Sequence, residues 1–171
     1  VEVSGKDTLT FNGKVDTRAP QGKSGTLLLD PANIVISDGS GDSANDADAL
    51  TTSFAGVPSG TPGAVASGDN PVGGTLTLFQ SELEGIAATT NISLQATSAI
   101  TINDLVNNNL NLAQTGGNSV SFNSAVFHMD ASDTITTAGG ALNVTTTGTA
   151  TVGGLNTAGG AIALDLGGAS T

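Results

Sequence analysis

The feature that most constrains the fold is a phrase that the chain repeats near its C-terminus. Residues 137–144 read TAGGALNV and residues 157–164 read TAGGAIAL, so one Gly pair and two apolar positions recur after 20 residues. An antiparallel sandwich has no reason to repeat a turn at a fixed distance, whereas a solenoid returns to the same corner on each coil. The repeat therefore favours a coiled fold in which the two Gly pairs lie one above the other.

Short runs of alternating apolar and polar residues occur along most of the chain. The apolar pairs are Val1 and Val3, Leu9 and Phe11, Ile34 and Ile36, Leu76 and Leu78, Ile92 and Leu94, Ile100 and Ile102, Leu110 and Leu112, Val120 and Phe122, Leu142 and Val144, and Ile162 and Leu164. Each run has the period of two that is typical of a half-buried strand, and residues suited to tight turns separate the runs. We predict an all-β chain, a parallel β-solenoid of about 20 residues per coil with two or three strands in each.

Two segments interrupt this pattern. Residues 37–73 contain three of the five prolines and no sustained apolar period, so they are predicted to form a long acidic Gly/Pro/Asp-rich loop insertion. Residues 81–85, SELEG, place Ser81 as a helix cap with Glu84 three positions later, which predicts a single helical turn at a corner. The rest of residues 1–171 is predicted to be one solenoid segment of a longer protein.

The charge of the chain is strongly acidic and unevenly distributed. Asp and Glu number 15 against four basic residues, for a net charge of −11. The four basic residues are Lys6, Lys14, Arg18 and Lys23. Nucleic acids and anionic membranes both attract clustered cations, so neither is an expected partner. The chain has no Cys, which excludes disulfides and thiol chemistry, and no apolar run reaches the roughly 18 residues of a membrane helix.

The acidic loop contains two candidate binding patterns. Gly39, Gly41 and Ala44 imitate a dinucleotide fingerprint, but the neighbouring Asp residues would repel a pyrophosphate and the residues that follow are poor helix formers. Oxygen ligands suited to calcium are offered by Asp38, Ser40, Asp42, Asn45, Asp46 and Asp48. Their spacing matches neither an EF-hand nor a calcium-binding β-roll, so an ordinary acidic loop is favoured and calcium binding at Asp38, Asp42, Asp46 and Asp48 stays an open alternative.

No catalytic residues are predicted. His128 is the only histidine and is expected to point outward from a strand. Ser121, His128 and Asp130 contain the residue types of a nucleophilic set, but no motif brings them into line. Arg18 is the only arginine, which disfavours the electrophilic chemistry of polysaccharide-cleaving β-helix enzymes. We expect no enzyme activity, no cofactor-binding residue and no metal-ligating residue.

Thr-x-Thr motifs raise the alternative of an ice-binding surface. They begin at positions 8, 75, 134, 145 and 149, and the steps between these positions are not multiples of one coil length. The threonines would therefore not align on one face, and outward strand positions explain them better.

Four stretches of the sequence resemble a known group of proteins. They are VEVSGKDTLTFNGKVDTRAP, GTLLLDPANIVI, LFQSELEGIAATTNISLQATSAITINDL and FHMDASDTITTAGGALNV. Together they are similar to the repeat region of filamentous-haemagglutinin-like large exoproteins, which bacteria export by two-partner secretion. The resemblance implies a right-handed parallel β-helix located outside the cell or on the outer cell surface of a bacterium. It supplies no catalytic residues, and the secretion motif of the family is not evident.

The expected function is structural. The segment would act as a rigid shaft in adhesion, aggregation, biofilm or fibre formation, with unpaired end coils that meet neighbouring repeats of the same chain or identical subunits stacked end to end. Glycans or proteins of host or neighbouring cells are further expected partners. The alternatives are a carbohydrate- or calcium-binding module that uses the loop at 37–73, and a self-assembling fibre subunit.

Overall fold

The structure, a computed structural model, describes residues 2–4, 25–30, 32–38 and 75–171. Within these ranges the chain forms short strands and one short helix. The elements are β1 Glu2–Ser4, β2 Thr26–Asp30, β3 Asn33–Ser37, β4 Thr75–Phe79, α1 Gln80–Glu84, β5 Asn91–Gln95, β6 Ala99–Ile102, β7 Asn109–Thr115, β8 Ser119–Ser124, β9 Val126–Met129, β10 Thr134–Ala138, β11 Ala141–Thr146, β12 Ala150–Thr151, β13 Gly154–Asn156 and β14 Ile162–Leu166.

The strands form three sheets, and every pairing between these strands is parallel. Sheet A has the order β1-β2-β5-β8-β11-β14, sheet B the order β4-β3-β6-β9-β12, and sheet C the order β7-β10-β13. From β5 onward the chain passes through sheets A, B and C in that order three times and then enters sheet A again at β14. The prediction of an all-β chain with parallel strands is confirmed, and the antiparallel alternative is wrong.

The core is built from the inward residue of each alternating pair. In sheet A, Ile92, Val120, Leu142 and Ile162 lie on successive strands in one register row, and Leu94, Phe122, Val144 and Leu164 form the next row. Side chains of sheets A and B meet between the sheets, where the rings of Phe122 and Phe127 lie 5.4 Å apart at an angle of 59°. Because successive side chains of a strand alternate between faces, these two apolar rows face inward and the polar residues between them face outward.

The repeated TAGG phrase forms the corner between sheets C and A. Gly139 and Gly159 adopt left-handed φ angles of 103° and 102°, which favour glycine. The second Gly of each pair is required by space instead, since a Cβ on Gly140 would lie 2.8 Å from the carbonyl oxygen of Gln114. Leu142 pairs with Ile162 in register, so the predicted stacking of the two Gly corners is confirmed.

The length of each pass is less regular than predicted. Asn91 and Ser119 are neighbours across 28 residues, and Ser121 and Asn143 across 22. Only the last pass has the spacing of 20, which joins Thr137 to Thr157. The uniform value of about 20 residues per coil is therefore wrong for the earlier passes. The connection from sheet B to sheet C becomes shorter on each pass, from residues 103–108 to 130–133 and then 152–153. The strands of sheet C become shorter as well.

The region around β4 departs from the regular order. β4 pairs with β3 on the side away from β6, so the chain returns to the edge of sheet B instead of moving forward. Helix α1 follows at once, as the helical turn at 81–85 predicted, but its N-cap is Phe79 and not Ser81. The Phe79 amide donates to Oε2 of Glu82 at 2.9 Å, so a carboxylate three residues later closes the helix start.

Candidate functional site

The last strand exposes the apolar row that is buried elsewhere. Leu142 and Val144 of β11 are 0% exposed, whereas Ile162 and Leu164, their register partners in β14, are 46% and 47% exposed. The first four residues of β14 are exposed, and the last, Leu166, is half-buried. The difference between β11 and β14 arises because no described residue covers β14 as β14 covers β11.

We call this surface the upper end. It consists of the exposed Ile162 and Leu164 together with three half-buried residues that pack against the core, Val152, Leu155 and Leu166. The outer backbone edge of β14 has no strand partner in the described part of the chain. An apolar surface beside an unpaired parallel strand has the chemistry to accept a further strand in the same register.

A second candidate site lies where sheet B turns toward sheet C. We call it the acidic corner, and it consists of Asp38, Asp104, Asp130 and Asp133. The two oxygens of the buried Asp133 carboxylate accept from the Leu105 amide at 3.3 and 3.2 Å. Asp38 Oδ2 accepts from the Val106 amide at 2.9 Å. The corner therefore uses carboxylates to bind the backbone amides of one loop.

The pKa values of Asp133 and Asp130 in the acidic corner are shifted in opposite directions. Burial raises the pKa of Asp133 above its ordinary range, and the nearby charges of Asp104, Asp130 and Asp38 raise it further, while the Leu105 amide opposes them. The pKa of Asp130 is lowered, chiefly because its carboxylate accepts from the hydroxyl and amide of Ser132 at 2.6 and 2.8 Å. The corner thus combines one carboxyl that resists ionisation with one that favours it.

The residues of the calcium and nucleotide patterns lie largely outside the described residues. Of the predicted calcium residues, Asp38 is described and binds the Val106 amide, whereas Asp42, Asp46 and Asp48 lie outside the described residues. Gly39, Gly41 and Ala44 of the nucleotide-like pattern lie outside them as well, as do residues 39–73 of the predicted insertion. Over residues 2–4, 25–30, 32–38 and 75–171, no group of three or more His, Asp or Glu side chains is placed to hold a metal ion.

The three residues of the nucleophilic pattern lie on two different sheets. Ser121 is in β8 of sheet A, and its hydroxyl accepts from Asn143 Nδ2 at 3.2 Å. His128 is exposed on β9 of sheet B, as predicted, and Asp130 follows that strand. Asp130 accepts from Ser132, so the hydrogen bonds of Ser121 and Asp130 are directed at other partners.

Two polar features of the structure were not predicted. Asp104 and Asp133 lie near Asp130 at one corner, but their separation in the sequence matches no motif that would indicate this. Gln114 is completely buried in β7. Its Nε2 donates to the Ala87 carbonyl at 3.3 Å, while Oε1 has no hydrogen-bond partner among the residues that the structure describes. The repeat period near Gln114 is too irregular to mark its position from sequence.

Comparison with other proteins adds no relative. No protein-family model, curated protein or solved structure matches the chain. Among the described residues, no helix has the length and apolar character to cross a membrane.

Proposed function

We propose that the chain is a right-handed parallel β-helix that serves as a rigid shaft segment of a large bacterial exoprotein. The three parallel sheets, visited in the same order on successive passes, support the β-helix. The right-handed sense is supported by the strong preference of connections between parallel strands of one sheet for that hand. Such a shaft gains stiffness because each coil forms backbone hydrogen bonds and side-chain contacts with the next.

The observation that carries this proposal is the continuation of the apolar rows to the upper end. Leu142 and Ile162 occupy equivalent places, yet one is buried and the other is 46% exposed. A fold that stops burying its core row at its last strand is suited to further coils of the same kind. The partners that fit are neighbouring repeats of the same chain or identical subunits stacked end to end.

The outer surface of sheet A supports an adhesive role more than a catalytic one. One row across its strands contains Ser93, Ser121 and Asn143, and the next contains Gln95, Asn123 and Thr145. These hydroxyl and amide groups form a hydrogen-bonding surface that is repeated from strand to strand, and the second row ends in Asp165 on β14. Such a surface can make many weak contacts with glycans or proteins of another cell, and it lacks the cations that nucleic acid binding requires.

The family resemblance determines the proposed location. The phrases GTLLLDPANIVI and NISLQATSAITIN, which are similar to filamentous-haemagglutinin-like exoproteins, correspond to β2–β3 and β5–β6. The proposal therefore places the protein outside the cell or on the outer cell surface, with a role in adhesion, aggregation or biofilm formation.

Antibodies raised against the purified 171-residue chain test this proposal. They are expected to bind intact cells, or to detect the protein in the culture medium, of the bacterium that encodes it. Deletion of the gene is expected to reduce cell aggregation, and complementation is expected to restore it. Detection only after the cells are permeabilised would refute the proposed location, and unchanged aggregation and surface attachment in the deletion strain would refute the adhesive role.

A further inference from the structure

The edge of sheet C next to α1 is the starting point for a second proposal. Among the described strands, β7 (Asn109–Thr115) pairs only with β10, so its other side is an edge of the described sheet. We call this side the lower edge. A seven-residue parallel strand with an open edge is a template for the addition of another strand.

Two side chains of α1 occupy the hydrogen-bonding groups of this edge. Gln80 Nε2 donates to the Asn109 carbonyl at 2.6 Å, and Glu84 Oε1 accepts from the Asn111 amide at 2.8 Å. Gln80 Nε2 also donates to Glu84 Oε1 at 2.8 Å, which holds the two side chains together. One turn of helix thus supplies both a donor and an acceptor to the strand.

These two bonds replace those that a neighbouring parallel strand would make. In a parallel pair, one residue bonds the carbonyl before its partner and the amide after it. The Asn109 carbonyl and the Asn111 amide flank Leu110, so they are the groups that a strand residue opposite Leu110 would use. Gln80 and Glu84 together replace the backbone donor and acceptor of that residue.

The segment after α1 covers the other end of the same edge. The Thr115 amide donates to the Ala88 carbonyl at 3.2 Å, and the Gln114 side chain donates to the Ala87 carbonyl at 3.3 Å. The helix itself is anchored by Leu83, whose side chain is 2% exposed and belongs to the core. Contacts therefore cover both ends of β7 along the lower edge.

We propose that α1 is a built-in cap that closes the lower edge of sheet C to strand addition. Its side chains occupy two of the backbone groups that an incoming strand would need, so sheet C can extend past β13 but not past β7. The cap gives sheet C a direction, with strand addition to this sheet restricted to its β13 side. This inference rests on the contacts of α1 and β7 and holds whether or not the protein has an adhesive role.

The bond from Asn111 to Glu84 provides the first test. Glu84→Ala is expected to increase the hydrogen exchange rate of the Asn111 amide about tenfold or more, because the amide loses a charged acceptor. Glu84→Gln is the matched control, since its amide oxygen still accepts from Asn111, and it is expected to stay within about threefold of the wild-type rate. Equal exchange at Asn111 in the wild type and Glu84→Ala would overturn the proposal, as would an equal increase in both variants.

Association through the exposed edge provides the second test. Gln80→Ala combined with Glu84→Ala is expected to form concentration-dependent oligomers in light-scattering chromatography, under conditions in which Glu84→Gln does not. The oligomers are expected to persist when Ile162→Asp is added, because that change blocks the upper end and not the lower edge. A double variant that remains folded by circular dichroism but does not associate would overturn the capping role, as would oligomers that Ile162→Asp abolishes.

Discussion

The lower edge of sheet C and the upper end are both edges of the described fold, but only the lower edge is covered. At the lower edge, α1 and the segment after it occupy the hydrogen-bonding groups of β7, so the edge is closed without a strand. At the upper end, β14 leaves its apolar row half exposed and its outer edge without a strand partner among the described residues. The difference teaches that an inward-facing residue in this fold is a core residue only when another layer lies over it.

The largest expected difference between the covered and open layers comes from one register row. Leu142→Ala is expected to lower the free energy of unfolding by about 3 kcal/mol, because it leaves a cavity between β8 and β14. Ile162→Ala, in the same row but half exposed, is expected to cost about 1 kcal/mol. Urea unfolding monitored by circular dichroism measures both values.

The comparison of Leu142→Ala with Ile162→Ala depends on protein concentration, because a second copy could cover the upper end. Equal losses for Leu142→Ala and Ile162→Ala at low concentration would show that the upper end is covered within one chain, contrary to the structure. A loss for Ile162→Ala that grows with concentration would instead show that a second copy covers the upper end, which would sharpen the comparison in favour of end-to-end assembly.

The Gly corner gives an effect of similar size. Gly140→Ala places a methyl group against Gln114 on one side, while β14 and its corner lie on the other side. We expect this change to lower the free energy of unfolding by about 3 kcal/mol. Gly160→Ala meets the carbonyl of Gly140, but the last layer is free to shift outward, so about 1 kcal/mol is expected. Thermal unfolding of the two variants gives the comparison.

Gly117→Ala is the control for these two variants. Gly117 has a φ of 89° and open space where a Cβ would lie, so its cost of about 1 kcal/mol reflects backbone strain alone. If Gly140→Ala were no worse than Gly117→Ala, the close stacking at the TAGG corner would be disproved.

The smallest expected effect is a pH dependence of stability that arises at the acidic corner. Because the pKa of Asp133 is raised in the folded state, its contribution to stability is complete below the ordinary pKa of 3.8 and is lost as pH rises through the higher folded value. Asp133→Asn lacks this titration but retains an oxygen that can accept from the Leu105 amide. The variant is therefore expected to gain stability relative to the wild type as pH rises from about 3 to 7.

Urea unfolding of the wild type and Asp133→Asn across this pH range measures the difference. The opposite titration of Asp130, whose pKa is lowered, is present in both proteins and largely cancels. The prediction is wrong if the stability advantage of Asp133→Asn stays constant or shrinks as pH rises. Either result would show that the folded protein does not disfavour ionisation of the Asp133 carboxyl.

Several parts of the fold could be predicted from particular residues. The alternation of Ile92 with Leu94 and of Ile100 with Ile102 identified β5 and β6, and the two TAGG phrases identified a corner that stacks on itself. Other strands lacked a local signal. β12 has only two residues, Ala150 and Thr151, and the unbroken apolar run in β2 at Leu27–Leu29 has no period of two.

The candidate sites were harder to predict than the strands. The acidic corner joins Asp38 to Asp104 and Asp133, whose separations in sequence depend on a long connection and on unequal passes. The role of Gln80 and Glu84 depends on β7, which follows them by about 30 residues. Hydrogen bonds between such distant residues leave no periodic pattern in the sequence, so the sequence predicts the helical turn but not the strand that it binds.

The sequence by itself determined which residues face inward and where the chain turns, because alternation along a strand and the left-handed glycine at 139 and 159 are local consequences of backbone geometry. Only the tertiary structure decided the return of β4 to the edge of sheet B, the covering of β7 by α1 and the exposure of β14. The physical reason is that burial and edge pairing are properties of neighbours in space, and these neighbours lie tens of residues apart along the chain.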